Sequence, residues 1–309
     1  MKVFKSLILT LIITLVFTAS SIFCQDSTKL VTSGEVVGLN IVLKHPYVYQ
    51  RLTEEAKDLE YGDIILSVKY NLKKAKSIDK INEIMKLKNQ NIIVELSRDG
   101  KNYIQKMTTD QLRMYVLKED VSGIGTITAT NENGEFVGIS HSIKMANRAI
   151  EFDKCDVFET SYVQEIKSYK DRVGSLIANI TDNKIGTVYS MGEYGVKGKY
   201  TNFKYPKNKA LEIANPKKGK AYIYCKTPVT NEMKLHEIEI TKVGKDSSQI
   251  KIVDENLIKY RGGAVVGMSG SPIIQDNKIV GGLRSIVIKN PTKGYIANIH
   301  SMLYDKDYK

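Results

Sequence analysis

The chain has no tryptophan, six prolines, four histidines and three cysteines in 309 residues. Each scarcity excludes something. Cys24, Cys155 and Cys225 are too few and too scattered for a disulfide framework, and free buried thiols are expected at 155 and 225. The histidines, at 45, 141, 236 and 300, stand far apart, with no cysteine or histidine at metal-ligand spacing. No metal and no cofactor are expected. No basic block carries interleaved aromatics, so the net charge of +12 argues for a solvated lysine surface or an anionic membrane rather than nucleic acid. There is no internal repeat and no low-complexity tract.

What is present begins at the N-terminus. Lys2 and Lys5 precede an apolar run from Leu7 to Phe23, the pattern of a secretory signal or an uncleaved signal-anchor. Residues 1–25 are therefore assigned as leader or anchor, with the membrane contacted through residues 7–23. The remainder is expected outside the cytoplasm, anchored or secreted.

Residues 26–110 read as one small α/β module. Val36 to Leu43 alternates as a strand, a short helical piece is expected over 53–59, and Ile64 to Val68 is a buried strand. Ser77 stands as a candidate N-cap before apolar residues at Ile78, Ile81, Ile84 and Met85. Another strand follows at Ile92 to Leu96, and Asp99-Gly100 marks a hairpin. The Gly62-Asp63-Ile64-Ile65-Leu66-Ser67-Val68 run, the helix after it and the strand ending at Arg98-Asp99-Gly100 resemble a PDZ domain of bacterial secreted peptidases. That resemblance implies peptide binding by strand addition, with Gly38, Leu39, Asn40 and Ile41 as the gripping loop and strand.

Residues 111–309 read as mostly β, with short strands and recurrent turns that suggest a barrel or sandwich. In this region stands Gly267-Met268-Ser269-Gly270-Ser271-Pro272. Glycines around a serine permit a tight turn in which the Gly267 and Ser269 amides converge as an oxyanion hole. Strands are expected on both sides, at Gly263 to Val266 and at Ile273-Ile274, unlike the strand–serine–helix elbow of α/β-hydrolases. A nucleophilic serine needs a base. His141, in Gly138-Ile139-Ser140-His141-Ser142, follows a strand among small residues. His45 precedes a proline, His236 alternates with charges as on a surface strand, and His300 lies near the end. For an orienting acid, Asp254, Asp153 and Asp156 remain open on spacing.

Gly123 to Thr128, the His141 segment, Asp254, the Gly263–Ile274 stretch, Gly281-Gly282 and Asn290 to Tyr295 together resemble the stage IV sporulation protein B family of serine peptidases. The resemblance implies a mainly β fold, with a signal-anchor, a PDZ domain and a trypsin-like double β-barrel peptidase domain. It places the nucleophile on Ser269, the base on His141 and the acid on Asp254. Where the family usually has Gly-His-Gly, this chain has Ser140-His141-Ser142. It further implies a signalling endopeptidase in the space between the forespore membranes. Such an enzyme cleaves its own N-terminal segment and a membrane-bound regulator of an intramembrane metalloprotease, which leads to pro-sigma factor processing. The alternative is an inactive PDZ-containing protein that tethers a partner at the membrane.

Overall fold

The computed structural model describes residues 28–145, 148–149, 151–228 and 230–305; the expected leader lies outside them. After β1 (Lys29–Thr32) comes a strand of 16 residues, β2 (Val36–Arg51). Its first half alternates Val37, Leu39, Ile41 and Leu43 into a core, as a period of two requires. Its second half continues into a module of β3 (Ile64–Tyr70), β4 (Lys73–Ala75), α1 (Ile78–Met85), β5 (Asn91–Arg98), β6 (Lys101–Thr108) and α2 (Thr109–Leu112). A second 16-residue strand, β7 (Tyr115–Thr130), leads back out.

The module's local signals act largely as expected. Asp99 and Gly100 both have positive φ, 49° and 78°, and close the β5–β6 hairpin with Arg98 opposite Lys101. Ser77 holds the N-cap position of α1 without a side-chain bond, and the carboxylate of Glu119 accepts the Ile78 amide instead (3.2 Å). Residues 53–59 form turns and bends, not the expected helix. There the Tyr115 hydroxyl accepts the Asp58 and Leu59 amides. Val48, Leu59, Ile65, Ile81 and Leu112 fill a core of the module's own, each contributing about 1.5–3 kcal/mol by burial.

The rest is two barrels. The first adds β8 (Glu135–Gly138), the short hairpin β9 (Lys144–Met145) and β10 (Arg148–Ala149), β11 (Phe152–Ile166), β12 (Ser175–Gly192) and β13 (Gly195–Tyr200). Pairing runs β7–β8–β13–β12–β11–β2 and back to β7, closing six strands. After β14 (Ala210–Glu212), the second barrel closes β15 (Gly219–Lys226), β16 (Met233–Lys242), β17 (Ser247–Ile252), β18 (Pro272–Gln275), β19 (Lys278–Val287) and β20 (Asn290–Asn298). After β20 comes α3 (Ile299–Tyr304). The mainly β architecture with barrels matches the expectation.

Two expectations are corrected here. A boundary at 110/111 leaves residues 36–43 in the module, yet they pair with β7 and β11 as a strand of the first barrel. The module is therefore inserted between two barrel strands. Gly38, Leu39, Asn40 and Ile41 consequently cannot grip a peptide by strand addition. Their one edge is bonded to residues 121–124 and their other to residues 155–158, so no backbone group is left for a guest strand.

Candidate active site

Ser269 lies on a turn pinned between the barrels. Thr126 of β7 donates its amide to Ser269 O (3.0 Å) and its hydroxyl to Gly267 O (2.8 Å). Thr128 donates its hydroxyl to Gly270 O (2.6 Å). From the other barrel, Leu283 O accepts the Gly270 amide (2.7 Å). Gly267 and Gly270 have φ of 95° and 101°, and a Cβ on Gly270 would collide with the Thr126 carbonyl. Only glycine fits there. The run 263–266 makes a single bridge, Val266 to Ser175, rather than the expected strand, whereas β18 follows the serine as expected.

The amides around the turn divide cleanly. Those of Met268, Gly270 and Ser271 are bonded to carbonyls. Among the described residues, those of Gly267 and Ser269 donate to nothing. Two free amides flanking a half-buried serine suit an oxyanion. Ser271, by contrast, is buried.

The His141 segment packs against this turn. Ile139 N donates to Thr126 O (3.0 Å), and a Cβ on Gly270 would stand 2.5 Å from that nitrogen. Ile139 and Ser140 have φ of 64° and 48°. A β-branched residue in the left-handed region is strained, by about 1–3 kcal/mol. Ser140 thus adopts the conformation that a glycine would hold without cost. His141 itself is half-buried. Its Nδ1–H donates to Ser142 O (2.9 Å), which leaves Nε2 as the acceptor nitrogen, the tautomer a general base needs. Burial, with the Arg284 and Lys144 charges, holds the imidazole below its usual value even though the Ser142 carbonyl opposes the shift. The ring and the Ser269 hydroxyl share no hydrogen bond in this structure. Beside the segment opens a cavity of about 1000 Å³, whose lining includes Ser142, Lys144, Asp153, Glu193 and Arg284.

Asp254 lies elsewhere. Its Oδ2 is 3.2 Å from His236 Nδ1, and its Oδ1 accepts the Leu257 amide (2.8 Å), capping the helical turn that ends at Arg261. The expected Asp254–His141 pairing is therefore not made. His236 is not on the surface either. The alternation of β16 turns Glu237 and Glu239 outward, and His236 inward with Ile238 and Ile240, at 3% exposure. Burial, which outweighs Asp254, holds its imidazole below the usual value. Around it Arg261, fully buried, bonds both carboxylate oxygens of Glu165, and its Nη1 reaches the Sδ (3.4 Å) of Met268, the residue before Ser269. Asp156 is held between Lys154 (2.6 Å) and Lys184 (2.8 Å). Burial alone would raise its carboxyl, and the two ammonium groups reverse this and leave it below the ordinary carboxylate range. Asp153 is exposed on the cavity wall. Cys155 and Cys225 are free and buried as expected; burial pushes their thiols up to about 12 and about 11, so neither is a thiolate nucleophile at neutral pH.

Sequence reasoning singled out Ser269 and His141, and the structure packs their two segments together. It missed Thr126 and Thr128, which read only as strand residues, and Arg284 and Glu193, which bear no motif.

The model of the SpoIVB peptidase S55 family matches residues 108–303, from the close of the module through the second barrel. No curated protein matches the chain. Among solved structures, Rv3671c from M. tuberculosis H37Rv, a serine-to-alanine mutant in an inactive form, is similar over 58% of this chain and 80% of that one, with 13% identity and a TM-score of 0.33. The family match spans well over half of the chain, and it contains both barrels' contributions to the serine turn: the chain belongs to the SpoIVB peptidase S55 family and is a serine peptidase.

Proposed function

We propose that this peptidase is a sporulation signalling endopeptidase in which Ser269 is the nucleophile, His141 the base, and the Gly267 and Ser269 amides the oxyanion hole. The observation that carries the assignment is the pair of unbonded amides beside Ser269, on a turn that packs against the His141 segment. In the reaction, His141 Nε2 takes the Ser269 proton, Oγ attacks the scissile carbonyl, and the two amides stabilise the oxyanion. The ring and the hydroxyl are not hydrogen-bonded here, and catalytic hydrogen bonds commonly tighten only when substrate binds.

The substrates proposed are the chain's own N-terminal segment and a membrane-bound regulator of an intramembrane metalloprotease, cut outside the cytoplasm. The inserted module is proposed to be a PDZ domain. Its position between β2 and β7, both shared with the first barrel, supports a role in coupling peptide recognition to the barrel that carries His141. A time course of purified wild type beside Ser269→Ala, followed by mass spectrometry and by fluorophosphonate labelling, tests the reading. Wild type shortens between the leader and the module and takes the label, while the variant does neither. Equal shortening of both assigns the cut to another protease. An unlabelled wild type favours the tethering alternative.

A further inference from the structure

A base needs a charge to support it. When His141 takes a proton it becomes an imidazolium, and a backbone carbonyl at Nδ1 fixes the tautomer but brings no negative charge. Among the described residues, the charges acting on His141 are Arg284 of β19 and Lys144 of β9, both cations. Three carboxylates stand on the adjoining cavity wall: Glu151, Asp153 and Glu193. Glu151 is paired with Lys44 (3.4 Å). Asp153 lies on β11, beside neither Gly138 nor Ser140 in the strand pairing.

Glu193 differs from both. It sits in the turn joining β12 to β13, and that turn is built against the segment that presents His141. Val196 pairs with Gly138. Gly195, at φ 131°, leaves no space for a Cβ between the Gly138 carbonyl and the Ser140 amide. The Glu193 side chain is half exposed, and its Oε1 meets Arg284 Nη2 at 2.9 Å. Arg284 also lies over the Tyr194 ring at 4.8 Å. One of the two cations that oppose protonation of His141 is thus the one that holds this carboxylate.

We propose that Glu193 is the positioning carboxylate of His141, and that Arg284, its partner in this structure, competes for it. Rotation of the Glu193 side chain from the guanidinium to the imidazole Nδ1–H would replace the Ser142 carbonyl as acceptor. The Ser269 proton would then pass to Nε2 with an anion behind the ring. The inference rests on Ser269 and His141 being the catalytic pair.

The test uses the full chain, with two readouts: the pH-dependent rate of fluorophosphonate labelling at Ser269, and the titration of His141 by NMR. Glu193→Gln is expected to slow labelling by roughly 10²- to 10⁴-fold and to lower the His141 pKa further, because Arg284 is left uncompensated. Glu193→Asp should recover part of the rate. Arg284→Gln should raise the His141 pKa and match or exceed the wild-type rate, and the double variant should fall to the level of Glu193→Gln. Labelling by Glu193→Gln within twofold of wild type across the pH range overturns the proposal. So does a folded Arg284→Gln that labels no better than Ser269→Ala. If wild type itself does not label, the peptidase assignment fails, and the His141 titrations still decide whether Glu193 engages the ring: opposite shifts in the two single variants support it, and unmoved titrations overturn it.

Discussion

The two barrels each hold a histidine, and the two are held in opposite ways. In the second barrel, His236 is sealed among isoleucines with Asp254 at 3.2 Å. In the first, His141 follows a strained turn next to Ser142 on the lining of a wide cavity, its Nδ1 satisfied by a carbonyl and the charges that act on it cationic. A histidine–aspartate pair is the arrangement most often taken for a catalytic dyad, yet here it is the buried one. The catalytic candidate is the histidine without an acid. Reactivity needs exposure to substrate and a free nitrogen, whereas a buried pair serves packing and specificity of the fold.

The largest expected effect separates the serine turn from its surroundings. Ser269→Ala should lower self-cleavage and labelling by several orders of magnitude, while Ser271→Ala, at a buried position whose carbonyl rather than its hydroxyl holds Leu283, should keep appreciable activity. Equal losses would mean that the frame of the turn is misassigned.

Next, the comparison of the histidines can be broken through Asp254. Asp254→Ala removes both the His236 partner and the cap on Leu257, and should destabilise by about 1–3 kcal/mol, seen as a lowered melting temperature, with the folded fraction still labelling near the wild-type rate. Collapse of labelling at an unchanged melting temperature would return Asp254 to the active site.

Acidification should affect both histidines in the same direction. Each imidazole is held below its ordinary value in the folded chain, so the unfolded chain binds more protons once the pH drops under about 6.5. Stability is full above that value and is lost as the pH falls through the folded-state values. Thermal melts between pH 7 and 5 should show the decline, flattened in His236→Gln. The acidic limb of the labelling profile should likewise lie below the ordinary imidazole pKa. A melting temperature that rises on acidification would contradict both directions.

The smallest effect sharpens the strain argument. Ser140 at φ 48° should tolerate glycine, with a gain of up to about 1 kcal/mol, reduced by loss of its contact with Met302 Sδ (3.5 Å). A clear fall in melting temperature for Ser140→Gly would mean that the buried hydroxyl matters more than the backbone.

What the sequence by itself determined is local. Period-two alternation made the chain mainly β. Asp99-Gly100 specified a hairpin, because its φ values suit few other residues. Gly267 and Gly270 specified the serine turn for the same reason, and small residues around His141 kept its backbone free to approach that turn. Alternation did not reveal which face of β16 is inside: His236 and the glutamates beside it obey the same period, and only closure of the second barrel selects the histidine face. Nor could the spacing of 15 positions from Asp254 to Ser269 reveal that the carboxylate turns to His236, because separation along a chain says little about distance once strands from elsewhere come between. Tertiary structure alone decided that β2 serves both the module and the first barrel, which withdrew Gly38 to Ile41 from peptide binding by bonding both their edges. It also brought Glu193 and Arg284, 91 residues apart, into one ion pair on the cavity wall that Ser142 also lines. Such pairings depend on which strand edges and charges meet when the barrels close, and that is a property of the whole chain.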